Sequence, residues 1–222
     1  MRGILLDIEG TTTPITFVYD VLFPYARRHA AAYVKKIDLT DLKREYEDDT
    51  RAGNNPALWS DDPLPYIHWL MDQDRKSTAL KRIQGEIWLD GYRNGELRGE
   101  VFPDVPDALQ RWHDAGIDIR IFSSGSILAQ RLLFSTTAAG DLTKFLSGYF
   151  DTTTGPKNDP MSYRKISLAF GISTSEILFI SDVTRELDAA HIAGMQTLLC
   201  VRPGNHPQPL HNHDVITSFA DV

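Results

Sequence analysis

The chain opens with a short apolar run, Gly3-Ile4-Leu5-Leu6, which is cut off by Asp7 and followed by the turn-forming Gly10-Thr11-Thr12-Thr13-Pro14. That is the pattern of a buried strand ending on a carboxylate. From about Phe17 to Arg93 the period changes. Val18, Val21, Leu22 and Tyr25 share one helical face and Leu80, Ile83, Ile87 and Trp88 another, with no convincing strand between them. This predicts an all-helical segment. Its helices are punctuated by the loop Gly53-Asn54-Asn55-Pro56 and by Asp61-Asp62-Pro63, which reads as an N-cap followed by proline at an early helical position.

After Pro103 helix and strand alternate as in parallel βα units. The pattern predicts a helix to Ala115 stopped by Gly116, a strand from Ile117 to Phe122, a helix from Ile127 to Phe134 and a helical stretch near Thr143. A helix from Ser162 to Phe170 stopped by Gly171, a strand from Ile177 to Ile180, a helix from Arg185 to Ala193 stopped by Gly194 and a strand from Thr197 to Val201 follow. The segment from Arg202 to His213, rich in Pro, Asn and His, reads as an irregular surface loop before a short final element. The predicted fold class is α/β: a doubly wound, mostly parallel sheet built from residues 1–14 and 97–222, with a helical insertion over residues 15–96.

In such a sheet ligands bind beyond the carboxyl ends of the strands, and those ends carry Asp7, Ser123 and Asp182. Asp7-Ile8-Glu9-Gly10-Thr11 puts two carboxylates two positions apart, and Gly10 permits the turn that lets both face one site. Taken alone, such a pair is more often simple capping or turn chemistry. Phe179-Ile180-Ser181-Asp182-Val183-Thr184-Arg185-Glu186 repeats the arrangement on another strand. Asp7 and Asp182 from neighbouring strand ends suit a hard cation such as Mg²⁺, which takes few carboxylates and fills its octahedron with water and phosphate oxygens; Asp182 could instead simply cap the next helix. Ser123-Ser124-Gly125-Ser126 offers hydroxyls and backbone N–H groups to a phosphate at a helix N-terminus, or serves only as an N-cap. Lys157, in Gly155-Pro156-Lys157, would neutralise phosphate and steady the nucleophile, although a loop lysine is more often solvent-exposed.

Composition narrows the partners. The net charge of −7 over 222 residues argues against a phosphate-backbone or anionic-membrane partner, which would favour a basic face. No apolar run is long enough to span a bilayer. The lone cysteine, Cys200, lies in the apolar Thr197-Leu198-Leu199-Cys200-Val201 and reads as a packed thiol. The expectation is a cytoplasmic protein with a small-molecule substrate.

The four segments at Asp7, Ser123, Lys157 and Asp182 with Glu186, in that order, resemble the four motifs of the haloacid dehalogenase-like hydrolase superfamily, whose Rossmann-like core carries a helical cap after the first strand. That superfamily usually has Asp where this chain has Glu9. The departure, together with Asp7-Ile8-Glu9-Gly10-Thr11-Thr12, Val21-Leu22-Phe23-Pro24-Tyr25, Asp74-Arg75-Lys76, Ile121-Phe122-Ser123-Ser124-Gly125-Ser126, Ser162-Tyr163-Arg164-Lys165-Ile166, Ser181-Asp182-Val183-Thr184-Arg185-Glu186 and Val201-Arg202-Pro203-Gly204-Asn205, resembles the enolase-phosphatase (acireductone synthase) family of methionine salvage. Tyr19 and the stretch from Asn55 to Asp62 depart from it.

The resemblance implies a monomeric enzyme that enolises 2,3-diketo-5-methylthiopentyl 1-phosphate and then removes its phosphate. It assigns one Mg²⁺ per chain to Asp7, Glu9 and Asp182, substrate contacts to Ser123, Ser124 and Lys157, and supporting roles to Thr11, Gly125 and Glu186. Asp7 is then the nucleophile, and Glu9 the acid and later the base. Glu9 is also the economical base for enolisation, ahead of His68, which reads as a helix-surface residue. Closure of the helical insertion should exclude water, and the tryptophans could meet the thioether, although Trp69 and Trp88 read as packing. His206, His211 and His213 read as surface residues with no metal.

Three rivals stand beside this reading. A receiver-like phospho-Asp switch shares the chemistry but lacks a helical insertion after its first strand. A generic sugar-phosphate phosphatase or a dehalogenase keeps the superfamily, and the dehalogenase has little use for Mg²⁺. A catalytically dead scaffold is disfavoured because every motif position is filled.

Overall fold

The computed structural model describes residues 1–73, 75 and 77–222. Asp74 and Lys76, which belong to one of the family-like stretches, lie outside the described residues. The chain divides into two compact units: Met1–Val18 with Arg98–Val222, and Tyr19–Leu97.

In the first unit, six strands among the described residues form one sheet in the order β3-β2-β1-β4-β5-β6. They are β1 (Gly3–Leu6), β2 (Asp118–Phe122), β3 (Gly148–Phe150), β4 (Ile177–Ser181), β5 (Gln196–Cys200) and β6 (Asp214–Ile216), and every pairing is parallel. β1 runs between β2 and β4, with Leu6 opposite both Ile121 and Ile180. Chain order reverses across β1 and β4, so the residues that leave these two strands stand at the switch point where open α/β sheets bind ligands. The sheet is buried on both faces, which is why its strands read as apolar runs without alternation: Ile4, Leu5, Leu6, Ile119, Ile121, Phe179 and Ile180 are fully buried.

Helices α5 (Val105–Asp114), α6 (Ile127–Ser135), α7 (Pro160–Phe170) and α8 (Thr184–Ala193) belong to this unit. Phe122, Tyr163, Ile166, Phe179 and Leu187 share one apolar cluster, which seats α7 and α8 on the sheet. The predicted stops hold, since α7 ends at Gly171 and α8 at Gly194. The stretch near Thr143 is a single 3-10 turn, Thr143–Phe145, and it leads into the three-residue β3, too short to show a period.

The second unit is helical. A π-helical turn, Phe17–Leu22, precedes α1 (Phe23–Val34), followed by α2 (Thr40–Arg51), α3 (Leu64–Asp72) and α4 (Thr78–Arg93). Leu80, Ile83, Ile87 and Trp88 are buried as expected, and the Trp88 indole N–H donates to the Leu22 carbonyl at 2.9 Å. Val21, expected on the buried face with Val18, Leu22 and Tyr25, is instead exposed. The wider π turn, with its i→i+5 hydrogen bonds, rotates it out of the stripe that a 3.6-residue period predicts. Pro63 occupies the N-cap position of α3 rather than its interior, and Asp62 Oδ1 accepts from Leu64 N at 2.9 Å. Asp49 is a buried polar hub that accepts from Tyr66 Oη at 2.8 Å, Asn54 Nδ2 at 2.8 Å and Arg75 Nη2 at 2.5 Å. Among the described residues no helix is long and apolar enough to cross a membrane.

Candidate active site

Asp7 follows β1 directly, with its backbone N–H still bonded to the Ile180 carbonyl at 3.0 Å. The chain then turns back on itself. The N–H groups of Thr11, Thr12 and Thr13 all reach the Ile8 carbonyl, and Thr12 Oγ1 donates to the Asp7 carbonyl at 3.1 Å. Gly10 sits at φ +74°, and a Cβ there would collide with Asp182 Oδ2. Glycine is therefore required for conformation and for room at once.

Lys157 is not an idle loop lysine. Its Nζ stands 2.5 Å from Asp7 Oδ1 and 2.5 Å from Glu186 Oε2, with only a tenth of its side chain exposed. The start of α7 holds it there, because Tyr163 Oη donates to the Lys157 carbonyl at 2.6 Å and Ser162 Oγ to the Pro156 carbonyl at 2.7 Å. Burial alone would lower its pKa, but the charges of Asp7 and Glu186 outweigh burial and hold the ammonium charged.

Ser181, the last residue of β4, is a site residue that sequence reasoning missed. Its Oγ donates to Asp7 Oδ2 at 3.3 Å or Glu186 Oε2 at 3.1 Å and accepts from Val183 N at 3.1 Å. A serine closing an apolar run reads as part of the strand, so its only sequence signal is its place beside Asp182.

Asp182 is buried and does not cap α8; Val183 holds the cap position, and Thr184 N donates to Gln208 Oε1 at 3.0 Å instead. Burial first and the charge of Asp7 second push the Asp182 carboxyl up to about 8. The same two causes push Glu9 up to about 7, and burial raises Glu186 against the pull of Lys157.

The serine turn divides its duties. Ser126 is the N-cap of α6, its Oγ accepting from Ala129 N at 3.3 Å, which leaves Ser123 and Ser124 free of that task. Ser123 is buried, and its Oγ accepts from Gly125 N at 3.1 Å. Gln130 Nε2 ties the Gly125 and Phe150 carbonyls at 2.8 and 2.9 Å. Thr11 is fully buried, its hydroxyl without a partner among the described residues, and its carbonyl accepts from Arg202.

Two histidine readings change. His68, expected on a helix surface, has a buried Nε2 without a partner among the described residues. His213, expected on the surface, is packed: its ring lies 2.9 Å from Thr197 Oγ1 and 3.0 Å from Asp188 Oδ1, with its side chain 8% exposed. Cys200 is buried, and burial pushes its thiol up to about 11, which suits packing rather than catalysis.

The electrostatics fit a cation. Asp7 and Glu186 both act on Glu9 and on Asp182, and Lys157 is the cation among the described residues that faces them, so the site holds more carboxyl groups than cations and raises two of them. Among the described residues no group of three His, Cys, Asp or Glu side chains is placed to hold a metal ion. A hard divalent ion needs none, because it takes one or two carboxylates and completes its shell with water, carbonyl and phosphate oxygens. The Glu9 carbonyl accepts no backbone hydrogen bond among the described residues.

The chain is similar to known proteins. Residues 1–194 match the family model of haloacid dehalogenase-like hydrolases. The chain is 48% identical to "Enolase-phosphatase E1" of Synechococcus elongatus, over 99% of this chain and 96% of that protein. It is 47% identical to a "Probable bifunctional methylthioribulose-1-phosphate dehydratase/enolase-phosphatase E1" of Populus trichocarpa, over 100% of this chain and 47% of that longer protein. Among solved structures, the UTR4 protein of Saccharomyces cerevisiae superposes with a TM-score of 0.82 at 33% identity, covering 100% of this chain and 99% of the other.

Proposed function

Because the chain belongs to the enolase-phosphatase family of haloacid dehalogenase-like hydrolases, we propose that its site turns 2,3-diketo-5-methylthiopentyl 1-phosphate into the acireductone 1,2-dihydroxy-5-methylthiopent-1-en-3-one and phosphate by way of an aspartyl-phosphate on Asp7. The observation that carries the reading is the hold on the Asp7 carboxylate, with Oδ1 bound by Lys157 and Oδ2 within reach of the Ser181 hydroxyl, whose one proton is shared between Asp7 and Glu186. A carboxylate held in this way is oriented for in-line attack before substrate arrives, and positioning with charge neutralisation is most of what phosphoryl transfer asks of a protein.

An Asp7 oxygen bonds to phosphorus as the bond to the substrate's ester oxygen breaks. Glu9, whose carboxyl is pushed up to about 7, gives its proton to that departing oxygen. The resulting Glu9 carboxylate takes a proton from water as the water's oxygen attacks phosphorus. The Asp7–phosphorus bond breaks, inorganic phosphate leaves, and both carboxyl groups return to their starting states. Ser123, Ser124 and the backbone N–H groups opening α6 receive the phosphate oxygens, and Lys157 offsets their charge.

Asp7, Asp182 and the Glu9 carbonyl would hold one Mg²⁺, leaving the Glu9 side chain free for proton transfer. When bound, the ion supplies charge neutralisation at phosphate and a Lewis acid for an enolate oxygen. For the enolisation that comes first we assign the proton abstraction to Glu9 as its carboxylate, and the proton it takes from carbon is the one it then gives to the departing ester oxygen. The enolate oxygen is protonated by solvent water, and the proton Glu9 later takes from the attacking water returns to solvent before the next turnover. We take the setting to be cytoplasmic and the active form to be a monomer.

The test follows the enol's ultraviolet absorbance and phosphate release together, from the diketone phosphate with Mg²⁺. A transient enol followed by phosphate, with release abolished in Asp7→Asn, is expected. Phosphate from a generic ester but no enol from the diketone overturns the substrate assignment and keeps the phosphatase.

A further inference from the structure

The loop after β5, Arg202-Pro203-Gly204-Asn205, has no part in the chemistry above, yet both of its polar side chains reach back to the turn behind the nucleophile. Asn205 Nδ2 donates to the Gly10 carbonyl at 2.9 Å and to the Cys200 carbonyl at 3.2 Å. Both partners are acceptors, so the amide nitrogen must face them and Oδ1 must point the other way. That oxygen is buried and accepts nothing among the described residues. It flanks Gly10 together with the Asp182 carboxylate: a Cβ on Gly10 would collide with Asp182 Oδ2 and stand 2.9 Å from Asn205 Oδ1.

Arg202 grips the next residue. Its Nε donates to the Thr11 carbonyl at 3.3 Å, while Nη1 reaches the Thr217 carbonyl at 3.0 Å and Asp104 at 2.9 Å. Its guanidinium stacks on Phe102 at 4.6 Å and on Phe219 at 4.8 Å. Two successive carbonyls of the nucleophile turn are thus anchored from the end of β5. An amide needed only to fill space would not require a donor bridging two strand ends, one of them directly after Glu9.

We propose that Asn205 is a positioning residue for the cation face of the site: by holding the Gly10 carbonyl it fixes where the Glu9 carbonyl and the Asp182 carboxylate stand, and so sets Mg²⁺ affinity without touching phosphate. The inference rests on the Mg²⁺ reading given above. Outer groups that orient metal-binding oxygens typically change affinity by about 10- to 100-fold when removed.

The test is calorimetric titration of Mg²⁺ into the phosphate-free wild type and into Asn205→Ala, Asn205→Ser and His206→Ala, with the melting temperature of each metal-free protein recorded alongside. His206 is the exposed neighbour on the same loop. Asn205→Ala is expected to bind Mg²⁺ about 10-fold or more weakly, with KM for substrate at saturating Mg²⁺ near the wild-type value. Asn205→Ser, which keeps one donor, is expected in between, and His206→Ala is expected to match the wild type. A folded Asn205→Ala that binds Mg²⁺ as the wild type does overturns the inference and leaves the cation reading intact; if that variant does not fold, wild-type affinity in Asn205→Ser does the same. A wild type that binds no Mg²⁺ overturns both.

Discussion

The Asp182 carboxylate fills the space that a side chain at Gly10 would occupy. Two segments far apart in sequence therefore share one volume, and a methyl group is enough to separate them. Gly10→Ala must also carry a Cβ at φ +74°, which costs about 1–2 kcal/mol. The expected result is a folded protein whose Mg²⁺ affinity and kcat fall together by about 100-fold, the scale of an active-site group displaced by about 1 Å. Calorimetry beside steady-state kinetics checks it, and an unchanged Mg²⁺ affinity contradicts it.

Among the described residues Lys157 is the one cation in contact with Asp7 and Glu186. Lys157→Met leaves those carboxylates buried against each other, and breaking a buried pair costs about 3–5 kcal/mol. Loss of kcat by about 1,000-fold is expected from removing one preorganised charge at phosphate. Acid protonates the stranded carboxylates, so the stability deficit measured by urea unfolding should shrink as pH falls. A deficit that grows in acid contradicts the assignment.

The raised carboxyls of Asp182, about 8, and Glu9, about 7, make stability depend on pH in a definite sense. The unfolded chain loses these protons near pH 4, whereas the folded metal-free site keeps them until higher pH, so their contribution is present in acid and is lost as pH rises through roughly 4 to 8. Mg²⁺ competes with the same protons, so the rise in Tm that it causes should be larger at about pH 8 than at about pH 6. Thermal melts with and without Mg²⁺ decide this, and an equal rise at both values counts against a shared site.

In the helical unit, Asp49→Ala strands the hydroxyl of the fully buried Tyr66 and frees Arg75. A loss of about 2–3 kcal/mol is expected from the buried unpaired hydroxyl. Asp49→Asn, which can still accept from Tyr66, should lose less. Urea unfolding of the two variants measures the difference, and equal losses would place the cost elsewhere.

Strand ends were the most legible part of this site. A carboxylate that halts an apolar run marks where a parallel strand emerges, so Asp7 and Asp182 could be read from the sequence, and the register of β1 against β4 then makes them neighbours. Lys157 and Glu186 were legible only as members of a set, because the contacts of Lys157 join the loop before α7 to the end of β1 and to α8. Ser181 and Asn205 were not legible as site residues. The first ends an apolar run and the second sits in an irregular loop, and neither position has a period. Val21 was misplaced because a π turn breaks the 3.6-residue period, and β3 was missed because three residues between Ser147 and Asp151 carry too little pattern. His213 was misread because its partners, Thr197 and Asp188, come from β5 and α8 rather than from its own loop.

The proposed reaction passes through a covalent phosphoryl group on Asp7. Mixing enzyme with the diketone phosphate and Mg²⁺, quenching in acid within the first turnover and mapping the phosphoryl group by mass spectrometry tests it most directly. The phosphoryl mass is expected on the peptide carrying Asp7, and is expected to be absent in Asp7→Asn. Free phosphate released in that first turnover, with no phosphorylated peptide at any quench time, would contradict it.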